Sequence, residues 1–371
     1  MAAELRIYLN NTAATEEQLA LFGDIRVDQA IGMAAEAELD VLITVDDSGA
    51  WSSIEEDFTQ PFSRIRVEVK VSDDGEFVAL IDGPIIAQRF ELSSSPEESK
   101  LVLVVQDDSV LLNQTEEIAL FEDTTADQIA DTLFSDFGLD SEVDPVSDPA
   151  APLTRAIVQR GTAMQLLREL GRRYGMFVYV IPGEEPGKSI GRFVRPVFEE
   201  TEFPEIVLMG QERNVSTFNA QFDALRPITA KAGSVGATDK TDVYSEAIAP
   251  DLGLLGDEST HDIVTPAQPT ILARTREEAG DMDEATLAAV NLSSFAYSAK
   301  AEIDIESYAA VLEPYKVITV AGAGGYLSGA YLISRVTHLI ANSGYKQQFN
   351  LRRNARSAGT SAAADLLGGI L

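Results

Sequence analysis

The chain has no cysteine among its 371 residues. That excludes disulfides, a thiolate nucleophile and any Cys-ligated metal centre. Histidine is nearly missing too. Only His261 and His338 are present, neither in a His-x-x-x-His or Glu-anchored pattern, so no metal site, catalytic histidine or cofactor is expected. Cations are scarce: 28 Lys and Arg face 60 Asp and Glu, a formal net charge of −32. A nucleic-acid backbone is held by a basic footprint, so sequence-specific nucleic-acid binding is not expected. No apolar run approaches the ~18–20 residues that span a bilayer. The opening Met1-Ala-Ala-Glu-Leu-Arg-Ile lacks the basic start and apolar core of a secretory signal. The expectation is a chain made in the cytoplasm, without membrane insertion.

What remains is globular material. Hydrophobic residues make up 45% and charged residues 24%, and a chain of this length divides into about two or three domains. The acidity has three readings: solubility of a large assembly, a host with a salty cytoplasm, or a negatively charged channel wall along which DNA slides without sticking.

Hydrophobic periodicity orders the chain as β, then α+β, then β. In the first ~110 residues, Leu5-Arg-Ile-Tyr-Leu, Ala37 to Val45, Ser63 to Val71, Glu76 to Ile81 and Lys100 to Val105 are rich in β-branched residues, several alternating apolar with polar. Asp46-Asp-Ser-Gly and Ser72-Asp-Asp-Gly supply turn chemistry between them. A small barrel or sandwich is predicted. From Thr124, the apolar Ile129, Leu133, Phe134 and Phe137 recur at helical spacing up to Gly138. The acidic, proline-containing Asp140 to Pro152 reads as a loop. A second helix is predicted from Thr162 to about Tyr174, with Met164, Leu166, Leu167 and Leu170 inward and Gly175 ending it. Met176-Phe-Val-Tyr-Val-Ile then reads as a strand ending at Pro182-Gly183. Strands resume near Ile206 and Val215. Gly233 to Ala273 reads as an irregular excursion and Arg274 to Phe295 as a helix. Lys316 to Val320, Gly329 to Ile340 and Tyr345 to Leu351 close the chain as strands.

The motifs that hint at chemistry have simpler readings. Gly322-Ala-Gly-Gly lacks the Lys-Ser/Thr and helix of a phosphate cradle and reads as a hairpin turn. Pro182-Gly-Glu-Glu-Pro-Gly-Lys-Ser lacks P-loop spacing and also reads as a hairpin loop. Glu55-Glu56, Asp73-Asp74 and Glu199-Glu200 are adjacent pairs that an acidic composition produces by itself; neighbouring strand residues point to opposite faces and do not converge as a glycosidase pair. His338 reads as a packed strand residue and His261 as a solvated loop residue. Arg172-Arg173 and Arg352-Arg353 are read as interface or surface ion pairs. No catalytic, cofactor or metal residue is assigned.

Several segments in order resemble one family. They are Val104-Val-Gln-Asp-Asp-Ser-Val-Leu-Leu, Thr124 to Asp131 with Phe137-Gly-Leu, and above all Gln159-Arg-Gly-Thr-Ala-Met-Gln-Leu-Leu-Arg-Glu-Leu-Gly-Arg-Arg-Tyr-Gly-Met-Phe-Val-Tyr-Val. The closing hairpin, Gly329 to Ile340 and Gly344 to Ala355, completes the set. Together, over residues 5–355, they resemble the late-control gene D protein family of tailed phages, itself similar to the N-terminal part of VgrG proteins and to baseplate hubs of contractile tails. The resemblance implies an α+β, mostly β fold with two small β-barrel, tube-like domains interleaved with α+β parts. It divides the chain into a first barrel at 1–110, an α+β domain at 111–205, a second barrel at 206–232 and 305–356, an insertion of loop and helix at 233–304, and a tail at 357–371. It further implies a structural, non-enzymatic homotrimer in a virion tail or injection particle, joining a tail tube or tube-initiator protein to a separate spike beside other baseplate proteins. A VgrG-like spike component carrying effectors is the alternative. The chain has no VgrG-like β-helical extension, whence the expectation that the spike is separate. The apolar stretch from Ala362 to Leu371 is a candidate docking tail.

Overall fold

The computed structural model describes residues 3–45, 56–72, 75–95, 98–146, 156–199, 201–235, 240–265, 269–272 and 279–358, together with positions 49, 51, 52 and 54. It is mostly β, 45% strand and 17% helix. The first half holds β1 (Glu4–Leu9), β2 (Thr12–Ala13), the short α1 (Glu16–Leu19), β3 (Phe22–Ala30), β4 (Glu36–Leu42), β5 (Arg64–Lys70), β6 (Val78–Glu91) and β7 (Lys100–Gln106). Period-2 alternation puts Ile25, Val27, Ala37, Leu39, Val41, Leu101 and Leu103 into one core.

The mixed unit follows: β8 (Glu117–Glu122), α2 (Ala126–Asp136), β9 (Asp140–Val143), β10 (Ala156–Gly161), α3 (Ala163–Tyr174), β11 (Phe177–Pro182) and β12 (Ser189–Val194). Helix α3 is specified at both ends. Thr162 and Gln165 form a capping box, and Gly175 takes the left-handed conformation at φ 66°. Met164, Leu166, Leu167 and Leu170 are buried, as expected. Asp140–Val143 corrects the sequence reading: it is a strand, paired parallel to β12, because its backbone completes the sheet β11-β12-β9.

The last part holds β13 (Ile206–Val207), β14 (Phe218–Phe222), β15 (Thr229–Val235), β16 (Asp242–Ala247), β17 (Glu258–Ser259), α4 (Thr260–Val264), β18 (Thr270–Leu272), α5 (Ala279–Ser293), β19 (Tyr297–Asp304), β20 (Val317–Ala321), β21 (Gly329–Ala341), β22 (Gly344–Arg353) and β23 (Ala355–Arg356). The stretch read as irregular is therefore partly ordered. Strands β16, β15 and β18 form a small sheet whose Ala230, Ala232 and Ser245 are buried, with Ser245 bonded to Thr286 of α5. The start of the predicted helix, 274–278, lies outside the described residues, as does the Ala362 to Leu371 tail. Tyr297–Asp304, inside the segment read as loop and helix, is a strand of the main sheet.

That sheet has 13 strands. Its backbone is an eight-strand antiparallel ladder, β14-β19-β22-β21-β3-β4-β7-β6, and β6 continues into β5, β1 and β2. The two halves repeat one connectivity. Taken in chain order, strands 1 to 5 are β3, β4, β5, β6 and β7 in the first half and β14, β19, β20, β21 and β22 in the second. Both are arranged 1-2-5-4, with strand 3 on the N-terminal part of strand 4. Strand 4 carries a bulge against strand 5 in each, at Ile85/Ala87 and at Ile333/Arg335. The barrels implied by the resemblance are not closed. The C-terminal part of β21 pairs with β3, so the ladder runs on into the other half instead of back onto itself.

Candidate assembly interface

Three features of the ladder bear on function: the seam between the halves, the solvated face and the two free ends. At the seam, His338 is fully buried. Its Nδ1 lies 2.7 Å from the Tyr345 hydroxyl and its Nε2 3.2 Å from Gln29 Oε1, while Gln29 Nε2 donates to Leu80 O at 2.6 Å. Gln29 Oε1 accepts, so Nε2 carries the proton and Nδ1 accepts from Tyr345. Burial pushes the His338 pKa down to about 3, leaving a neutral imidazole that joins both halves. On the other face, Arg335 Nε donates to Asp28 at 2.8 Å and Thr337 Oγ1 at 3.0 Å. Burial raises the Asp28 pKa, but these bonds and the nearby charge outweigh it and leave it lowered. The packed-strand reading of His338 holds.

The solvated face is not the negative wall considered from composition. Strand alternation and register place seven bases on it (Arg26, Arg89, Lys100, Lys300, Arg335, Lys346, Arg352) and eight acids (Asp24, Asp28, Glu36, Glu38, Asp40, Glu91, Glu302, Asp304), against 28 and 60 in the chain. Most are paired: Arg335–Asp28, Lys100–Asp40 at 2.8 Å, Arg89–Glu38 at 2.9 Å and Lys346–Glu302 at 3.4 Å. The ladder ends in β14 and in the C-terminal part of β6, each paired on one side only among the described residues. Phe90 is 48% and Leu92 54% exposed beside the second end. Unpaired edges with exposed apolar side chains are sites of strand addition unless something covers them.

A second cluster docks the mixed unit on the first half. Arg64 donates to Asp82 at 2.6 Å and to Asp108 at 2.9 Å, and Ser189 Oγ donates to Asp108 at 2.7 Å. Arg66 donates to Glu68 and to the Gly183 carbonyl, both at 2.7 Å, and Gly187 N–H to Asp82 at 2.9 Å. The Pro182 to Ser189 segment is thus a hairpin loop between β11 and β12, as expected, clamped by the buried Arg66 and the half-buried Arg64. The adjoining cleft of about 600 Å3 is lined by Tyr8, Arg66, Tyr179, Arg192 and Tyr315. Tyr179 and Tyr315 stack with ring centres 3.7 Å apart. These groups orient and pack. No nucleophile–base pair lies in the cleft's described lining, and no three-acid or histidine metal cluster occurs among the described residues.

Other sequence readings need correction. His261 is not a solvated loop residue: it lies in α4 at 3% exposure, its Nε2 is 2.9 Å from Ile228 O, and burial lowers its pKa. The Ser259 hydroxyl caps α4 by accepting from the His261 N–H. Arg353 is not a surface pair. It is 1% exposed and bonds the Leu255 carbonyl at 2.7 Å, the Ser328 carbonyl at 3.0 Å and Ser357 Oγ at 2.8 Å. The Gly322 segment is the β20–β21 turn, with Gly322 and Gly324 at φ 76° and 93°. Of the acidic pairs, Glu56 and Glu199 are exposed, while Glu55, Asp73, Asp74 and Glu200 lie outside the described residues.

Comparison with known proteins gives a family and a fold. No curated protein matches the chain. Among solved structures it is similar to the 43 kDa tail protein of prophage MuSo2 from Shewanella oneidensis, at 15% identity and TM-score 0.66 over 95% of this chain and 99% of that one. It is also similar to the tail protein from Neisseria meningitidis MC58, at 11% identity and TM-score 0.61 over 95% and 97%. A third is the E. coli c3393 protein, at 10% identity and TM-score 0.52 over 95% and 77%; that protein is a component of the type VI secretion system with structural similarity to the T4 tail proteins gp27 and gp5. At such identities the likeness is one of fold. Residues 4–342 match the model of the Alg8 N-terminal domain, and the chain belongs to that family.

Proposed function

We propose that this chain is a structural subunit of a phage-like tail or contractile injection particle, a baseplate hub related to the late-control gene D proteins, and that it works without catalysis. The observation that carries this reading is the eight-strand ladder built from two halves of identical connectivity. Because eight is even and every step is antiparallel, the end strands run in opposite directions. Copies joined end to end therefore continue the antiparallel order on one smooth face. Three copies of eight strands make a ring of six repeating halves, a threefold object that matches a sixfold tube. A closed ring has no free edge, which removes the aggregation hazard of β6 and β14. The fold shared with two tail proteins and a secretion-system component supports this reading. The nearly balanced, largely ion-paired face suits a lumen wall that holds neither polyanions nor polycations.

In this reading one rim of the ring meets the tube or its initiator and the other a spike protein. The assembled particle, rather than the cytoplasm, is the site of action. Electron microscopy of the purified protein tests it. Class averages should display threefold rings with six lobes; twofold particles, or monomers at all concentrations, would overturn it.

A further inference from the structure

The internal seam is a template for the contact between copies. At the seam, strand 4 of the second half, β21, pairs antiparallel with strand 1 of the first half, β3: Val336 faces Gln29, Thr337 faces Asp28, His338 faces Val27, Leu339 faces Arg26 and Ile340 faces Ile25. The corresponding strand 4 of the first half is β6, and the corresponding strand 1 of the second half is β14. These are the two free ends of the ladder.

The ladder also fixes which residues correspond. The bulges align Ile85/Ala87 on β6 with Ile333/Arg335 on β21. Phe90 thereby takes the place of His338, and Leu92, just beyond the strand, that of Ile340. Working across through β7 and β22, then β4 and β19, Glu38 matches Lys300 and Ala37 matches Ala299. Ala220 on β14 then takes the place of Val27, and Phe218 that of Ile25.

We infer that β6 of one copy pairs antiparallel with β14 of the next in the register of the seam, with Gln88 facing Phe222, Arg89 facing Gln221, Phe90 facing Ala220, Glu91 facing Asn219 and Leu92 facing Phe218. Exposure bears this out independently. His338 and Val336 are fully buried in the completed seam, whereas Phe90, at the position of His338, is 48% exposed on the open end. Phe90 and Leu92 are apolar on the core-side face, where the seam buries its own residues, while Arg89 and Glu91 fall on the solvated face. Neither edge carries an inward-pointing charge or a proline of the kind that blocks strand addition. The occupant is a second copy because its β14 is the equivalent of β3, the strand that fills this place in the seam, and meets β6 with the same direction and pleat.

The inference rests on the ring reading, and engineered disulfides separate the two. The absence of native cysteine makes the experiment clean. Directly opposed Cα atoms in antiparallel strands stand about 4.5–5.5 Å apart, inside the disulfide range of about 4.4–6.8 Å, whereas a two-residue slip lies near 7–8 Å. The full chain carrying Phe90→Cys with Ala220→Cys should shift from monomer to covalent trimer on a non-reducing gel after oxidation. Phe90→Cys with Phe218→Cys, or with Phe222→Cys, should stay monomeric on that gel. Cross-linking through a slipped pair overturns the register. A trimer by sedimentation that none of the three pairs locks overturns the β6–β14 joint and leaves the ring. A monomer by sedimentation at every concentration overturns the ring and the joint together.

Discussion

Asp107 accepts from the Ala35 N–H at 2.5 Å and the Ser109 N–H at 2.9 Å, at full burial. Burial pushes its pKa up to about 6, above the unfolded value of about 3.9. The folded chain therefore binds this proton more tightly. The associated stability is fully present below pH ~4 and is lost as pH rises through about 6, on the order of 3 kcal/mol. Asp107→Asn removes the titration and sets its amide NH2 against one of the two N–H donors, a cost that does not vary with pH. Its stability relative to the parent, from urea unfolding at each pH, should rise between pH 4 and 7 and then level off; a flat difference would mean that Asp107 does not titrate there. His338→Ala leaves the Tyr345 hydroxyl and Gln29 without their buried partner and opens a cavity. The expected loss is about 3 kcal/mol, read as a lower urea midpoint. Sequence periodicity made the burial of His338 legible. Its partners, 309 and 7 positions away, were not.

Helix α3 was the most legible element because local chemistry decides it: a capping box, an apolar stripe and a left-handed glycine all fall within 14 residues, 162–175. Gly171 inside it was not legible. A Cβ there would stand 2.5 Å from Val178 Cγ2 and 3.2 Å from the Met176 carbonyl, so the helix meets its own following strand through that gap. Gly171→Ala should lower the melting temperature, with a packing cost of about 1–3 kcal/mol exceeding the ~1 kcal/mol helix gain. A rise in melting temperature would show the gap to be slack. Strand β3 escaped the sequence reading for the opposite reason. Phe22-Gly-Asp-Ile-Arg-Val-Asp-Gln-Ala interleaves a glycine and three charges with its apolar residues. Only pairing on both sides, to β4 and β21, makes it a central strand.

For the whole molecule, the ladder's free ends set the behaviour to look for. Phe90 lies on the surface of the single chain, so at concentrations low enough for both proteins to be monomeric Phe90→Glu should leave the unfolding midpoint within about 0.5 kcal/mol of the parent. It would bury an unpaired charge in the β6–β14 joint, and the trimer boundary in sedimentation should be lost. A trimer that survives this substitution would argue that the edge is not the contact. The acidity also finds its place at this scale. It is kept off the ladder's solvated face, which nearly balances seven bases against eight acids, and lies on the rest of the molecule.

The sequence by itself determined what depends on neighbours along the chain: the mostly β class, both helices of the mixed unit with their caps, the hairpin turns, and the lack of thiol or histidine-cluster chemistry. Alternation and capping are local, so they survive without a structure. The tertiary structure decided whatever depends on partners far apart. Arg353 and His261 went inside because carbonyls from distant loops, of Leu255 and Ile228, meet them. The barrels stayed open because β3 and β21, about 300 residues apart, pair with each other. Nor does any sequence pattern announce that the two halves share one connectivity, since Ala37/Ala299 and Ile85/Ile333 coincide while Val27/Ala220, Ile25/Phe218 and Leu39/Ala301 match in position only. That equivalence emerges only once backbone hydrogen bonds set the register, and it is what gives the free ends of the ladder a defined partner.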